Sequence, residues 1–238
     1  MERTAWSLIV MLLGAGLGIA AAQSSAFDVL GPFSPARRPA IEAAHPVIEL
    51  TSESDVDVAL IGAARTTADD ARLVSWFREV EQLQRGKYIP VVRRFSNPPH
   101  IQDLDDLELD EDDLEDLRDC RPGHCDLKLA GSEMIRIRAA IDAAGDEWQP
   151  AAQQVFRQVI LSRALAHLRG GFAEALPYED HKARALPSSE FEFLLARCHL
   201  PGLRMKPVVA HLRAYPHAHD GVETFLARYM PDTTASDP

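Results

Sequence analysis

The chain has 238 residues, of which 46% are hydrophobic and 26% charged, and its formal net charge is −11. Because Gly numbers 13, Pro 16 and Cys 3, the composition excludes a chain disordered throughout, a collagen-like repeat and a disulfide-dense miniprotein. The negative charge argues against broad affinity for nucleic acid or anionic lipid, so neither is expected as a partner.

The N-terminal segment has the pattern of an export signal. An apolar run from Ala5 to Ala22 ends in three alanines, which supply the small residues that signal peptidase requires. We therefore predict that residues 1–22 are a signal peptide cleaved after Ala22, and that the protein is periplasmic or secreted. An uncleaved anchor is the alternative, because about 18 apolar residues approach the lower limit for spanning a bilayer. Membrane contact is then expected only through this segment.

The next region combines a lead-in, two strands and a helix. Residues 23–46 contain four prolines and no helical or alternating period, which predicts a flexible lead-in. The segments 47–50 and 56–61 are predicted to be short strands. Thr66-Thr67 is a candidate N-cap for a helix that Gly86 ends, since apolar residues recur between them at helical spacing.

The remainder of the chain is predicted to be largely helical. Apolar stripes indicate helices over 132–145 and 150–169, followed by three shorter helices. The stripes of these three are Phe191, Leu194, Leu195 and Cys198; Val208, Val209 and Leu212; and Val222, Phe225, Leu226 and Tyr229. Residues 232–238 are predicted to form a disordered tail. The fold class is therefore mainly α, a helix-rich α+β domain over residues 47–231 with a few short strands near its N-terminal part.

An acidic stretch, residues 103–116, contains ten acids and no base. Neither Asp103 nor Asp110 begins a calcium loop of the EF-hand type, because the sixth and twelfth positions are not Gly and Glu. We interpret the stretch as an amphipathic segment that docks through its leucines while its acids stay in water. Loose binding of divalent cations and docking of a basic partner are the alternatives. The leucines concerned are Leu104, Leu107, Leu114 and Leu117.

The segment Cys120-Arg-Pro-Gly-His-Cys125 is the most distinctive feature of the chain. Pro122-Gly123 suits the central positions of a type II turn, which brings the two cysteines side by side. In an oxidising compartment this predicts a Cys120–Cys125 disulfide. A redox-active dithiol and a zinc site with His124 are the alternatives, and both lack the usual spacing. Cys198, on an apolar stripe, is predicted to be a buried free thiol.

The histidines and the motif content give no catalytic assignment. His211, His217 and His219 are interpreted as surface histidines, because no further ligand lies at diagnostic spacing. The chain contains no Gly-x-Ser-x-Gly, phosphate loop, dinucleotide fingerprint or His-Glu-x-x-His motif. No metal, cofactor or catalytic residue is therefore predicted.

Several segments resemble an uncharacterised family of bacterial exported proteins. They are Arg94-Phe-Ser-Asn-Pro-Pro99, the acidic stretch, Cys120–Leu129 and Phe156-Arg157, and the Cys-x4-Cys-x-x-Lys-Leu pattern is the most specific. The resemblance covers about residues 70–230. It implies a periplasmic or secreted location and no assigned activity. Longer family members continue past the part that matches Phe225-Leu226 into a strand-rich, His-containing region.

We expect a binding or accessory module whose partner is an unknown small molecule or an envelope protein. The candidate binding residues are Arg94, Phe95, Lys128 and Arg157. A hydrolase-like enzyme is the alternative, and it would gather acids with histidines such as His124, His181 or His211 in one pocket. A truncated, nonfunctional family member is the third interpretation. A continuous apolar cavity would favour binding.

Overall fold

The computed structural model of the chain describes residues 9–14, 33–53, 58–87, 89–197, 206–217 and 222–230. Within these ranges the strands are β1 (Ile9–Gly14), β2 (Val47–Glu53), β3 (Val58–Ala63), β4 (Val91–Arg94) and β5 (Val222–Met230). The helices are α1 (Arg38–Glu42), α2 (Asp70–Arg78), α3 (Val80–Leu83), α4 (Glu111–Asp119), α5 (Gly131–Ala144), α6 (Trp148–Gly170), α7 (Pro187–Arg197) and α8 (Lys206–Ala214). The predicted helix-rich α+β class is confirmed.

Helices α5 and α6 pack against each other and lie close to the predicted positions 132–145 and 150–169. The carboxylate of Glu133 accepts a hydrogen bond from the Ala130 backbone N–H at 2.8 Å, which fixes the start of α5. Pro150 lies in the first turn of α6, where its missing N–H costs nothing. Buried side chains from both helices join the main core, including Met134, Ile137, Ile141, Phe156 and Val159.

The acidic stretch docks as predicted. Leu104, Leu107 and Leu117 are buried in the main core, and Leu114 packs against it half-buried. The Asp110 carboxylate accepts a hydrogen bond from the Asp113 N–H at 2.8 Å and so caps α4. Acids in the first turn of α4 also face the positive end of the helix dipole. These residues form a structural segment of the fold.

The prediction of a third closing helix is wrong, because residues 222–230 form strand β5. This strand lies in the middle of an antiparallel sheet of order β1-β5-β4. Residues 225–229 are all buried, so the strand is covered on both faces. A fully buried strand lacks the apolar–polar alternation that identifies most strands, and its apolar run fits a helix equally well. Strands are therefore found near the C-terminal end of the chain as well as in the N-terminal part, where the sequence predicted them.

The N-terminal part holds the predicted strand pair and one unpredicted helix. β2 and β3 form an antiparallel hairpin, as expected. Helix α1 lies inside the segment predicted to be a flexible lead-in, and Ile41 packs there with Phe33 and Val47. This small apolar cluster gives an ordered structure to residues that the four prolines predicted to be a flexible lead-in.

The predicted helix over residues 66–86 differs in its start and its continuity. The carboxylate of Asp69 caps α2 by accepting from the Arg72 N–H at 2.8 Å, three positions after the predicted start at Thr66. The helix is then interrupted at Glu79, where α2 ends and α3 begins. Val80 is fully buried after this break, against Val92 of β4.

Some predictions concern residues outside the described ranges. These residues are Cys198, His219, the tail 232–238 and most of the predicted signal peptide. Within the signal peptide, only Ile9–Gly14 is described, and this segment pairs with β5 as strand β1. Cleavage after Ala22 stays a prediction, and it would remove β1 from this edge of β5.

Candidate functional site

A cavity of about 370 Å³ lies along the C-terminal half of α6. Its wall is mostly apolar, and its volume falls within the range of small-molecule sites. Five segments contribute to it: α5, α6, the turn at residues 171–178, Pro187 and β5. The described lining residues are Glu133, Ile160, Ser162, Arg163, Ala166, His167, Arg169, Gly171, Phe172, Glu174, Ala175, Leu176, Tyr178, Pro187, Arg228 and Tyr229.

The end of α6 builds the aromatic part of this wall. Gly171 has φ +60°, and a Cβ at this position would lie 2.9 Å from the Tyr215 carbonyl oxygen. Glycine therefore allows the residue 215 turn to approach the helix end closely. His167 stacks on Tyr215 with ring centroids 4.9 Å apart, and the edge contact to Phe172 measures 5.1 Å. These contacts form an aromatic cluster beside the cavity, with the Phe172 ring nearly perpendicular to the His167 ring.

Two polar atoms of the wall have no hydrogen-bond partner among the described residues. They are Nε2 of His167 and Oη of Tyr229, and both atoms are buried. Burial lowers the pKa of His167 and raises the pKa of Tyr229, so both side chains are neutral at neutral pH. An unsatisfied buried polar group costs free energy, and because both atoms are buried, neither presents a surface that a molecule in the cavity could reach.

An ion pair joins α5 to α6 at the cavity. The Arg163 guanidinium donates from Nε to Oε1 of Glu133 at 2.8 Å, and its Nη2 donates both to Oε2 of Glu133 and to the Lys128 carbonyl oxygen. The two side chains are only 19% and 9% exposed, so the charges lie largely away from water. The same guanidinium lies 5.4 Å from the centroid of the Tyr178 ring. Arg163 is thus paired with a carboxylate of its own protein.

The second buried arginine of the wall is also paired. Arg228 of β5 donates to the Asp106 carboxylate, and its Nε donates to the Asp103 carbonyl oxygen at 3.1 Å. Burial is the main cause that lowers the pKa of Arg228, although the group stays a cation. The acidic stretch therefore supplies a carboxylate, Asp106, that pairs with Arg228 and also with Arg93 of β4.

The disulfide segment supports another wall of the cavity. Cys120 and Cys125 form the predicted bridge, and Gly123 adopts φ +81°, as the turn requires. The Gly123 N–H donates to the Glu179 carbonyl at 2.7 Å, and the Cys125 N–H donates to the Asp180 carbonyl at 3.0 Å. These bonds hold the segment that carries Tyr178 into the cavity wall. The bridge therefore contributes to the shape of the site from outside it.

Arg94 and Phe95 lie at the end of β4, away from the described cavity wall. The Arg94 guanidinium covers the ring of Phe225 at 4.5 Å from its centroid, and the Arg94 N–H donates to Glu81 at 2.9 Å. Phe95 is buried in the main core, and its N–H extends the sheet by donating to the Leu226 carbonyl. Both residues thus have a structural role in the sheet.

Lys128 and Arg157 also lie outside the described wall of the cavity. The Lys128 ammonium contacts the Asp180 carboxylate at 2.8 Å, and Asp180 is buried. Arg157 donates from Nε to the Leu107 carbonyl at 2.9 Å and from Nη2 to the Asp105 carbonyl at 3.0 Å. The four candidate binding residues are therefore not brought together, and their part in binding a ligand stays a prediction.

The histidines are arranged differently from expectation. His211 is buried, at 3% exposure, and its ring meets Tyr215 edge-on, so its interpretation as a surface histidine is wrong; His217 is exposed. Helix α8 turns His211 inward because its apolar stripe and His211 occupy the same face. Among the described histidines, His167 is the one that lines the cavity, and its place on the long α6 stripe was the available signal.

Metal and membrane signals are absent from the described part of the chain. No cluster of three or more His, Cys, Asp or Glu side chains there could hold a metal ion. Among the described helices, none combines the length and the apolar character needed to cross a membrane.

Comparisons with protein-family models, with curated proteins and with solved structures found no match to the chain. The resemblance to a family of bacterial exported proteins therefore stays a prediction. The geometry of the cavity carries the functional argument.

Proposed function

We propose that the protein is a binding module for a small, largely apolar molecule, which the cavity beside α6 holds. The observation that carries this proposal is the mostly apolar wall of a cavity of about 370 Å³, a volume within the range of small-molecule sites. Apolar surface supplies most of the affinity for such a ligand, and a few polar groups orient it. The charged groups Arg163 and Arg228 are already paired and act as supports of the wall.

The rim of the cavity is suited to capture of an apolar molecule. Leu176, which lines the cavity, is 48% exposed, and Leu186 beside Pro187 is 44% exposed. A ligand that covers exposed apolar side chains around a pocket removes apolar surface from water, and this favours binding. Binding should therefore bury both the cavity wall and part of its rim.

A fluorescence titration with the uncharged probe N-phenyl-1-naphthylamine tests this proposal. Ala166 lines the cavity, so Ala166→Phe fills part of it and should weaken probe binding by about tenfold or more. Ala143 on α5 is exposed and outside the described wall, so Ala143→Phe adds the same side chain without this effect. Equal weakening by both variants, or no probe binding by the parent chain, would refute the proposal.

Export is part of the same proposal. The pattern of residues 1–22 supports delivery to the periplasm or the medium, and the acidic net charge supports a partner other than nucleic acid. An envelope protein is the second candidate partner. Mass analysis of the protein recovered from an exporting bacterium tests the location, since cleavage after Ala22 leaves Gln23 as the first residue.

A further inference from the structure

We propose that the edge of β5 that residues 9–14 cover in the full chain binds an extended apolar segment of an envelope protein once the signal peptide is removed. The bound segment is added to the sheet as a strand. This inference goes beyond the cavity and concerns a separate surface. It rests on cleavage after Ala22, which removes β1 from the protein.

The first argument is that the pairing of β5 is divided between its two edges. Residues 227–230 pair with β4, whereas residues 222–227 pair with β1, so the two ladders share only Ala227. Among the described residues, the first half of β5 therefore pairs with β1, apart from one bond that the Phe95 N–H donates to the Leu226 carbonyl. Removal of β1 leaves this half with an open edge, and an open strand edge is a template for pairing with another chain.

The second argument is the direction of the backbone groups of β5. The Leu226 carbonyl faces β4, because it accepts from the Phe95 N–H at 2.9 Å. Each residue of a strand directs its N–H and C=O to one edge, and the next residue directs them to the opposite edge. Phe225 and Ala227 therefore present their backbone groups to the edge that β1 covers.

The register of β1 shows which of its own backbone groups meet this edge. Met11 lies opposite Phe225. Residues that lie opposite each other in an antiparallel pair either both face each other or both face away. Met11 and Leu13 therefore direct their N–H groups towards β5. Val10 and Leu12 direct theirs away from it.

The third argument concerns the chemistry of the bound segment. Phe225 and Ala227 belong to the apolar cluster around Val80. Leu226, on the opposite face of the strand, belongs to the main core. A strand that is added at this edge extends both apolar layers, so it needs a continuous apolar run rather than an alternating one. The run Ile9–Gly14 has this character, because it contains no charged or polar side chain.

Fluorescence anisotropy with labelled peptides tests the inference on the mature protein recovered from an exporting bacterium. The first peptide copies residues 9–14 and carries an uncharged polyethylene glycol chain that keeps it soluble. We expect this peptide to bind the mature protein. Binding should also slow the amide hydrogen exchange of Phe225 and Ala227, because their N–H groups face the added strand.

Two N-methylated peptides provide the matched control, since they share the same side chains and differ only in where the methyl groups lie. Methylation at Met11 and Leu13 removes N–H groups that face β5, so it should weaken binding by about tenfold or more. Methylation at Val10 and Leu12 removes N–H groups that face away, so it should change the affinity by less than about twofold.

Three results would overturn the inference. The first is that the unmethylated peptide does not bind, or that both methylated peptides are weakened equally. The second is a mature protein that is dimeric in sedimentation and that the peptide converts to monomers, because the edge then belongs to a second copy. The third is retention of residues 1–22 in the exported protein, since the edge then stays covered. The cavity proposal is independent of all three, because the naphthylamine titration tests it separately.

Discussion

The Glu133 carboxylate and the Arg163 guanidinium meet between α5 and α6, with Nε of Arg163 donating to Oε1 of Glu133 at 2.8 Å. Removal of one partner leaves the other charge buried and unpaired. We therefore expect Arg163→Met to lower the free energy of unfolding by about 3 kcal/mol, measured by urea denaturation at neutral pH.

The double variant Glu133→Gln/Arg163→Met provides the control for this prediction. It removes both charges, so it should recover more than half of the lost stability. A double variant that is less stable than Arg163→Met would contradict the assignment of the loss to an unpaired carboxylate.

Arg157 fastens the acidic stretch to α6 through the carbonyl oxygens of Asp105 and Leu107. Arg157→Lys cannot reproduce this forked contact, so we expect a loss of about 1–2 kcal/mol in the free energy of unfolding. Limited proteolysis should cut within residues 105–110 faster than in the parent chain. Arg85 is exposed, and Arg85→Lys serves as the control that changes neither property. If Arg157→Lys is as stable as the parent chain and is not cut faster, the structural role of Arg157 is contradicted. Ligand binding would then be the better explanation of this residue.

Lys128 supplies the cation for a buried carboxylate, because its Nζ lies 2.8 Å from Oδ2 of Asp180 and Asp180 is 2% exposed. We expect Lys128→Met to lower the free energy of unfolding by about 2 kcal/mol. Lys182→Met, at an exposed position close in sequence, should change it by less than about 0.5 kcal/mol. Equal stabilities of the two variants in thermal unfolding would remove the structural role assigned to Lys128.

Burial of His167 makes the stability of the protein depend on pH. Burial lowers the pKa of His167 in the folded state below its ordinary value of 6.5, so the unfolded state binds more protons as the pH falls. The contribution of His167 is therefore fully favourable above about pH 6.5, and it is lost as the pH falls towards the folded pKa.

Urea midpoints measured from pH 8 down to pH 5 test this dependence. The decline below about pH 6.5 should be shallower in His167→Phe, which keeps an aromatic ring beside Tyr215 and Phe172 but has no proton to bind. Identical slopes for the variant and the parent chain would show that His167 titrates normally in the folded protein.

The Cys120–Cys125 disulfide is expected to protect both thiols in the protein purified from an oxidising compartment. Mass spectrometry after alkylation should find both cysteines modified only if reduction precedes it. The Cys120→Ser/Cys125→Ser variant should lose about 2 kcal/mol of stability, since the closed loop is short. Free alkylation of both thiols without reduction would exclude the bridge in solution.

The sequence by itself determined those features that depend on neighbours along the chain. Helix α6 follows from its apolar stripe, from Pro150 in its first turn and from Gly170-Gly171 at its end. The disulfide turn follows from Pro122-Gly123 in the same way, because the turn conformation is a property of those two residues. Local sequence also marked the docking leucines of the acidic stretch.

Only the tertiary structure decided which residues meet across long separations. Residues 222–230 fit either a helix or a strand, and antiparallel pairing with β4, more than 120 positions earlier in the chain, selected the strand. That choice places Tyr229 in the wall of the cavity that His167, 62 positions earlier, also lines, and no periodicity in either segment encodes this arrangement. The cavity is therefore a product of packing, because its wall combines segments that the chain itself keeps apart.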